Sequence, residues 1–194
     1  MNKPKFIVLE ALDGVGKTTL VHLVAERLGG LAMDTPGPAL RATAAGVLDA
    51  LGEHQTARAL FYAASVLAAG ERANQVVRAG QTVVMDRYWL STLSYARARG
   101  VTVDLASIEG TVPLPDMTVL VTLDEEERQR RLLARGCTTA DRETMDERFR
   151  HRVLSEMRST ARRPALRPTV EVNLTGANRD EAVERVLRVL LAQP

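Results

Sequence analysis

FIVLEALDGVGKTTL, residues 6–20, is the stretch on which the reading of the chain turns. FIVLE is a short apolar run rich in β-branched residues, as in a strand buried on both faces. Gly14 and Gly16 then turn the chain. From Lys17 onward, Leu20, Val21, Val24 and Leu28 fall on one helical face. A strand, a glycine turn and a helix start bring backbone N–H groups and a positive helix end to one point, which suits a phosphate. The stretch fits GxxxxGK[ST] except at Ala11, which stands at the first glycine. In such a loop the lysine, Lys17, reaches the β and γ phosphates and the Thr18 hydroxyl ligates Mg²⁺. The expected ATP contacts are Asp13, Gly14, Val15, Gly16, Lys17, Thr18 and Thr19. The bland alternative is a glycine-rich turn with no ligand; the buried strand before it and the amphipathic helix after it argue against that.

Outward from this stretch, strands are expected at 5–10, 31–34, 81–86, 117–124 and 169–174. Helices are expected at 17–28, 39–51, 54–79 and 89–99. An arginine-rich helix follows residue 124, then a loop GCTTAD (136–141), a long helix to about 163 and a last helix from 179. Alternating strands and helices predict an α/β fold, a parallel sheet of about five strands with helices on both faces. The 194 residues suit one domain, 1–194, with no repeat or linker.

Composition narrows the function. No apolar run approaches the roughly 18 residues of a membrane span, and MNKPKFIVLE lacks the features of a signal peptide. The single cysteine, Cys137, excludes an internal disulfide and a multi-cysteine metal site. A cytoplasmic protein is expected. Net charge is +2, but residues 128–167 are dense in arginine, from Arg128 to Arg167. Such a region suits nucleic acid, yet it is almost without aromatic residues for base stacking, and its glutamates point to a solvated helix; no nucleic-acid partner is expected. Lysine occurs only at positions 3, 5 and 17. A lysine inside the glycine loop therefore points to a need for a compact charge on a flexible stem.

The strand TVVMD ends in Asp86-Arg87-Tyr88, followed by WLSTLSYA; no N-K-x-D sequence occurs, which sets the chain apart from switch GTPases. Together with the loop, LFYAA (60–64), MDRYWLSTLSYARARG (85–100) and the segment from LDEEERQRRLLAR through FRHRV, this resembles the thymidylate kinase family over nearly the whole chain. The resemblance implies a three-layer P-loop NTPase fold with a helical lid, at about 131–145, and a homodimer through the apolar long helices. It implies transfer of the ATP γ-phosphoryl group, with Mg²⁺, to the 5′-phosphate of a (deoxy)pyrimidine nucleotide such as dTMP. Residue by residue, it implies that Asp13 contacts the acceptor's sugar or its phosphate-binding arginine, that Asp86 lies near the metal and that Arg87 holds the acceptor phosphate. It implies too that Phe61 stacks on the base and that Tyr95 packs beneath the deoxyribose, disfavouring a 2′-hydroxyl. Read without the family, Phe61 and Tyr95 are core residues and Asp86-Arg87 an ion pair at a strand end.

The departures cluster on the acceptor side. Ser65 stands where the family's base-binding arginine follows the stacking ring by one turn. Ala96 replaces a glutamine, Asp34-Thr35-Pro36-Gly37 lacks the family's arginine and glutamate, and Met157 replaces a lid tyrosine. Arg41 is a candidate replacement contact to phosphate. Val15 stands where some members carry an arginine inside the loop, so Arg135 and Arg142, with Arg131, are the expected lid cations at the transferred phosphoryl group. Two other classes stay open: a deoxynucleoside or other hydroxyl kinase with Glu10 as general base, and a nucleotide-binding protein without transfer activity.

Overall fold

The computed structural model describes residues 3–166 and 168–192; Arg167, counted in the arginine-dense region, lies outside the described residues. Strand β1 (Phe6–Glu10) is buried at every position, as an unbroken apolar run requires of a central strand. It pairs in parallel with β3 (Val83–Asp86) on one side and β4 (Met117–Thr122) on the other. With β2 (Leu31–Asp34) and β5 (Thr169–Asn173) at the edges, the order is β2-β3-β1-β4-β5. The register sets Leu9 beside Asp86 and Asp34 beside Asp86, so the acidic ends of β1, β2 and β3 gather at the carboxyl edge of the sheet. Ligands of open parallel sheets bind at that edge.

The two-residue alternation of β1 divides the core. Ile7 and Leu9 pack with α1 (Lys17–Arg27) and α8 (Arg179–Leu191) on one face, through Val21, Val24, Val183, Val186 and Leu190. Phe6 and Val8 pack with α3 (Gln55–Arg78) and α4 (Trp89–Ala98) on the other, through Val66, Ala69, Trp89 and Leu93. Helix α7 (Glu147–Ala161) then lies on α4, with Val153 and Met157 against Leu90 and Leu120. Ala11, at the position of the first glycine of the loop pattern, is fully buried among the α1-side residues, where a methyl group has room. Helix α2 (Pro38–Ala50) buries none of its residues. No helix among the described residues is long and apolar enough to cross a membrane.

The lid region differs from its sequence reading. Helix α5 (Glu125–Arg135) forms as expected, but the long helix to about 163 is two. Helix α6 (Thr139–Met145) begins inside the expected loop GCTTAD, because Thr138 and Asp141 form a capping box. It stops at Asp146, whose carboxylate accepts the Phe149 N–H at 2.7 Å and so starts α7 in a new direction. Asp146→Ala is expected to cost about 1 kcal/mol, read as a lower urea midpoint with an unchanged slope; an unchanged midpoint would mean that the α6–α7 break does not depend on this cap.

Candidate active site

The phosphate loop leaves β1 and enters α1 through Gly14 (φ 89°) and Gly16 (φ 85°), both in the left-handed region that glycine adopts without strain. Gly14 also needs its missing Cβ for space, since one there would lie 2.6 Å from Leu132 Cγ on α5. Lys17 is buried and contacts the Asp86 carboxylate, and Thr18 Oγ1 donates to the other Asp86 oxygen at 2.7 Å. Burial and the Arg87 guanidinium push the Lys17 ammonium down from the ordinary lysine range, while Asp13 and Glu10 pull it back. The contact with Asp86 favours the charged form. Thr18 and Asp86 thus present a hydroxyl and a carboxylate oxygen side by side, hard donors of the kind Mg²⁺ takes beside substrate phosphates. Among the described residues no cluster of three or more His, Cys, Asp or Glu forms a dedicated metal cage.

The next residue, Arg87, has φ 62°, a non-glycine residue in the left-handed region. Its N–H donates to Leu9 O at 3.0 Å, and its carbonyl accepts from Thr35 Oγ1 at 3.1 Å. Held between β1 and the loop after β2, the side chain turns to Asp13 (Nη2 to Oδ1, 2.7 Å) and Ser91 (Nη1 to Oγ, 3.2 Å). Burial would raise the Asp13 carboxyl, but the charge and hydrogen bond of Arg87, with Lys17 and Arg135 beyond, hold it below the usual carboxylate range. Asp13 therefore contributes to stability at neutral pH, and that contribution is lost only as pH falls through its lowered value. Strain of this kind gathers where geometry is set for a ligand.

A cavity of about 250 Å³ opens at this point. Asp13, Thr35, Arg87, Ser91, Tyr95 and Ala96 line it, with Gln55, Ala59 and Tyr62 from α3 and the ion pair of Arg99, just past the end of α4, with Glu143 of α6. Arg87 Cζ and Arg99 Cζ lie 5.4 and 5.3 Å from the Tyr95 ring centroid, and burial pushes the Tyr95 phenol up against the opposing pull of Arg87. A second cavity, about 290 Å³, lies at the start of α1, between Val15, Gly16, Thr19 and Leu23, with Arg131 and the α8 start (Asn178, Arg179) on its other wall. Arg131 is fixed there by Val15 O (3.1 Å) and Glu127 (2.5 Å).

Other residues singled out in the sequence lie elsewhere. Phe61 is half-buried beside Tyr62, ring centroids 5.4 Å apart, and does not line the cavity; Tyr62 is the ring that α3 presents to it. Ser65 is buried and donates to Phe61 O at 2.7 Å within its own helix. Arg41 is exposed on α2 and pairs with Asp34, outside the cavity lining. Arg135 pairs with Asp141 at 2.7 Å. Arg142 is exposed and forms no ion pair among the described residues. Glu10, the candidate general base, is instead committed to structure. Fully buried, it accepts from Tyr88 N (2.9 Å), Ser91 N (3.1 Å) and Ser91 Oγ, satisfying the first turn of α4.

Two cavities thus flank one phosphate loop. The thymidylate kinase family model matches residues 9–184. A probable thymidylate kinase of Pyrococcus abyssi is 32% identical over 145 residues, 68% of this chain and 71% of the relative. One from Pyrococcus horikoshii is 32% identical over 148 residues, 69% and 72% of the two chains. The chain belongs to the thymidylate kinase family. It is thereby an ATP-dependent nucleoside monophosphate kinase. The P-loop fold also matches solved thymidylate kinases, from Candida albicans (TM-score 0.74, 20% identity, 97% of this chain and 92% of that one) and Ehrlichia chaffeensis (0.72, 22%, 98% and 100%).

One arginine of this thymidylate kinase family member escaped the sequence reading. Arg128 is 1% exposed. Its guanidinium donates to Asp13 O (2.8 Å) in the phosphate loop, to Thr144 O (2.8 Å) on α6 and to Glu125 (2.8 and 2.9 Å). It shares a helix face with Arg131 and Arg135, by i, i+3 and i+7 spacing, which was the available signal. Arg128→Met would remove the guanidinium donor from Asp13 O and from the buried Thr144 O and is expected to cost about 3 kcal/mol. Urea unfolding measures this; a loss under about 1 kcal/mol would show that the staple between loop and lid is dispensable.

Proposed function

We propose that this chain moves the γ-phosphoryl group of ATP onto the 5′-phosphate of dTMP or a related deoxypyrimidine nucleotide. The adenosine would lie in the cavity beside Arg131 and the acceptor in the cavity beside Arg87. The observation that carries the reading is the adjacency of Asp86 and Arg87. One residue anchors Lys17 and Thr18 of the phosphate loop, and the next turns its guanidinium into the other cavity. Phosphoryl transfer needs positioning and charge neutralisation more than covalent chemistry. Lys17 would hold β and γ oxygens as a compact charge. Arg87, kept cationic by Asp13, would hold the acceptor phosphate in line. Thr18 and Asp86 would hold Mg²⁺, which would supply positive charge against the phosphate oxygens. Tyr95 lies where it would pack on the sugar, and Tyr62, rather than Phe61, is the ring available to the base.

The segment from Arg131 to Met145 would act as the lid. Arg135, whose field reaches Asp13, and the exposed Arg142 would supply positive charge as it closes, excluding water from the reaction. A hydroxyl kinase with Glu10 as base is disfavoured by the three hydrogen bonds that engage that carboxylate. A second copy of the chain would cover α2 and the neighbouring side of α3, where Leu40, Val47 and Leu60 are exposed. A cytoplasmic setting suits the two nucleotides and the free thiol of Cys137.

An ADP-release screen across nucleosides and nucleoside monophosphates tests the assignment: product is expected from dTMP and none from thymidine, and the reverse pattern would make the chain a hydroxyl kinase. ATP binding with no turnover on any acceptor would make it a binding protein. Lys17→Ala is expected to abolish transfer, and Arg142→Ala to lower kcat by tens-fold with ATP binding nearly intact; an unchanged kcat would remove Arg142 from the mechanism. Light scattering is expected to give twice the chain mass, falling to one chain in Val47→Glu/Leu60→Glu; a monomeric parent protein would refute the dimer.

A further inference from the structure

The polar side chains around the acceptor cavity are almost all engaged. Thr35 Oγ1 donates to Arg87 O, Ser91 Oγ to Glu10, Thr92 Oγ1 to Tyr88 O and Tyr88 Oη to Pro113 O. Asp13 accepts from Arg87, and Glu143 from Arg99. Two groups differ. The Tyr95 hydroxyl is buried and without a hydrogen-bond partner among the described residues, though a hydroxyl can either donate or accept. Gln55, the first residue of α3, is the other. Its Nε2 donates to Glu53 O at 3.3 Å, while its Oε1 is buried and without a hydrogen-bond partner among the described residues. Reversing the amide would set two oxygens against each other at Glu53, so the network itself fixes which atom is left over. A buried carbonyl oxygen without a donor is costly, and the cavity that Gln55 lines is where a donor would arrive.

We propose that Gln55 is a specificity-determining residue whose Oε1 accepts the ring N3–H of the acceptor's base. The inference rests on reading this cavity as the acceptor site and adds to it the feature of the base that is read. The pairing edge of thymine or uracil carries one donor, N3–H, between two carbonyl acceptors, so a lone acceptor oxygen on the protein has one atom to choose. Cytosine presents a lone pair at N3 and would set it against Oε1. Gln55, Ala59 and Tyr62 share one helix face at i, i+4 and i+7, which sets the amide in line with the ring that α3 offers for stacking. Ser65, the residue at the expected base-reading position, has its hydroxyl turned to Phe61 O and lies outside the cavity lining. The amide is restrained by its own helix start, where His54 caps Ala57 N at 3.2 Å. It therefore loses little freedom on binding.

The test is kcat/KM for dTMP and for its N3-methyl derivative, in the wild-type chain, Gln55→Leu and Gln55→Ala. The wild type is expected to prefer dTMP by tens-fold. Gln55→Leu should lower kcat/KM for dTMP by tens-fold with the KM for ATP unchanged, and Gln55→Ala should bring the two acceptors within a few-fold of each other. A wild-type-like preference in both variants would overturn the proposal while leaving the kinase assignment intact. Equal use of the two acceptors by the wild type would overturn it without recourse to any variant. A wild type that phosphorylates no nucleoside monophosphate would sink both this proposal and the reading beneath it, a result distinct from either of the others.

Discussion

The contact of Lys17 and Thr18 with Asp86 is the constraint on which the rest of this structure depends. It joins two segments nearly seventy residues apart, and only the parallel register of β1 with β3 brings them together. That register needs the alternation of Phe6, Ile7, Val8 and Leu9, which splits the core between two helical layers. Because Asp86 ends the strand, the chain must turn at once, and Arg87 takes the turn in a left-handed conformation. The same turn that closes the phosphate loop thus aims a guanidinium at the neighbouring cavity. Fold and site share one set of residues here, which is why the site is so compact.

A second economy runs along α5. Three arginines on one face perform three tasks: Arg128 ties the loop to α6 from inside, Arg131 closes on Val15 O beside the second cavity, and Arg135 pairs with the Asp141 cap. Part of the arginine density that suggested a polyanion surface is consumed in such pairs. Arg150 reaches Glu125, Arg158 reaches Glu171 and Arg163 reaches Glu109. The exposed Arg158–Glu171 pair adds little by itself. The buried Arg128 is different, because besides Glu125 it holds two backbone oxygens, Asp13 O and Thr144 O.

The sheet and the phosphate loop were legible in the sequence because their signals are local: an apolar run, a glycine spacing, a lysine where lysine is otherwise scarce. The five strands and most helices follow from periodicity alone. The α6–α7 break was written in Thr138, Asp141 and Asp146, but cap signals inside an apolar-periodic stretch are easily read as one continuous helix. The acceptor cavity was harder. One residue step along a helix separates Phe61 from Tyr62 by about 100°, and which of them faces the cavity depends on how α3 rolls against β1 and β3, a tertiary property. Gln55 carries no motif at all; it becomes visible only when most neighbouring polar groups are seen to be satisfied and its buried carbonyl oxygen, an acceptor only, is not.

The account's central claim is that the two cavities exchange one phosphoryl group across the Lys17–Asp86 site. A single-turnover experiment with ATP labelled at the γ phosphate, dTMP and Mg²⁺ measures that most directly. The account predicts the label in dTDP, one equivalent for each ADP formed. Label released as inorganic phosphate, with dTMP unchanged, would contradict it.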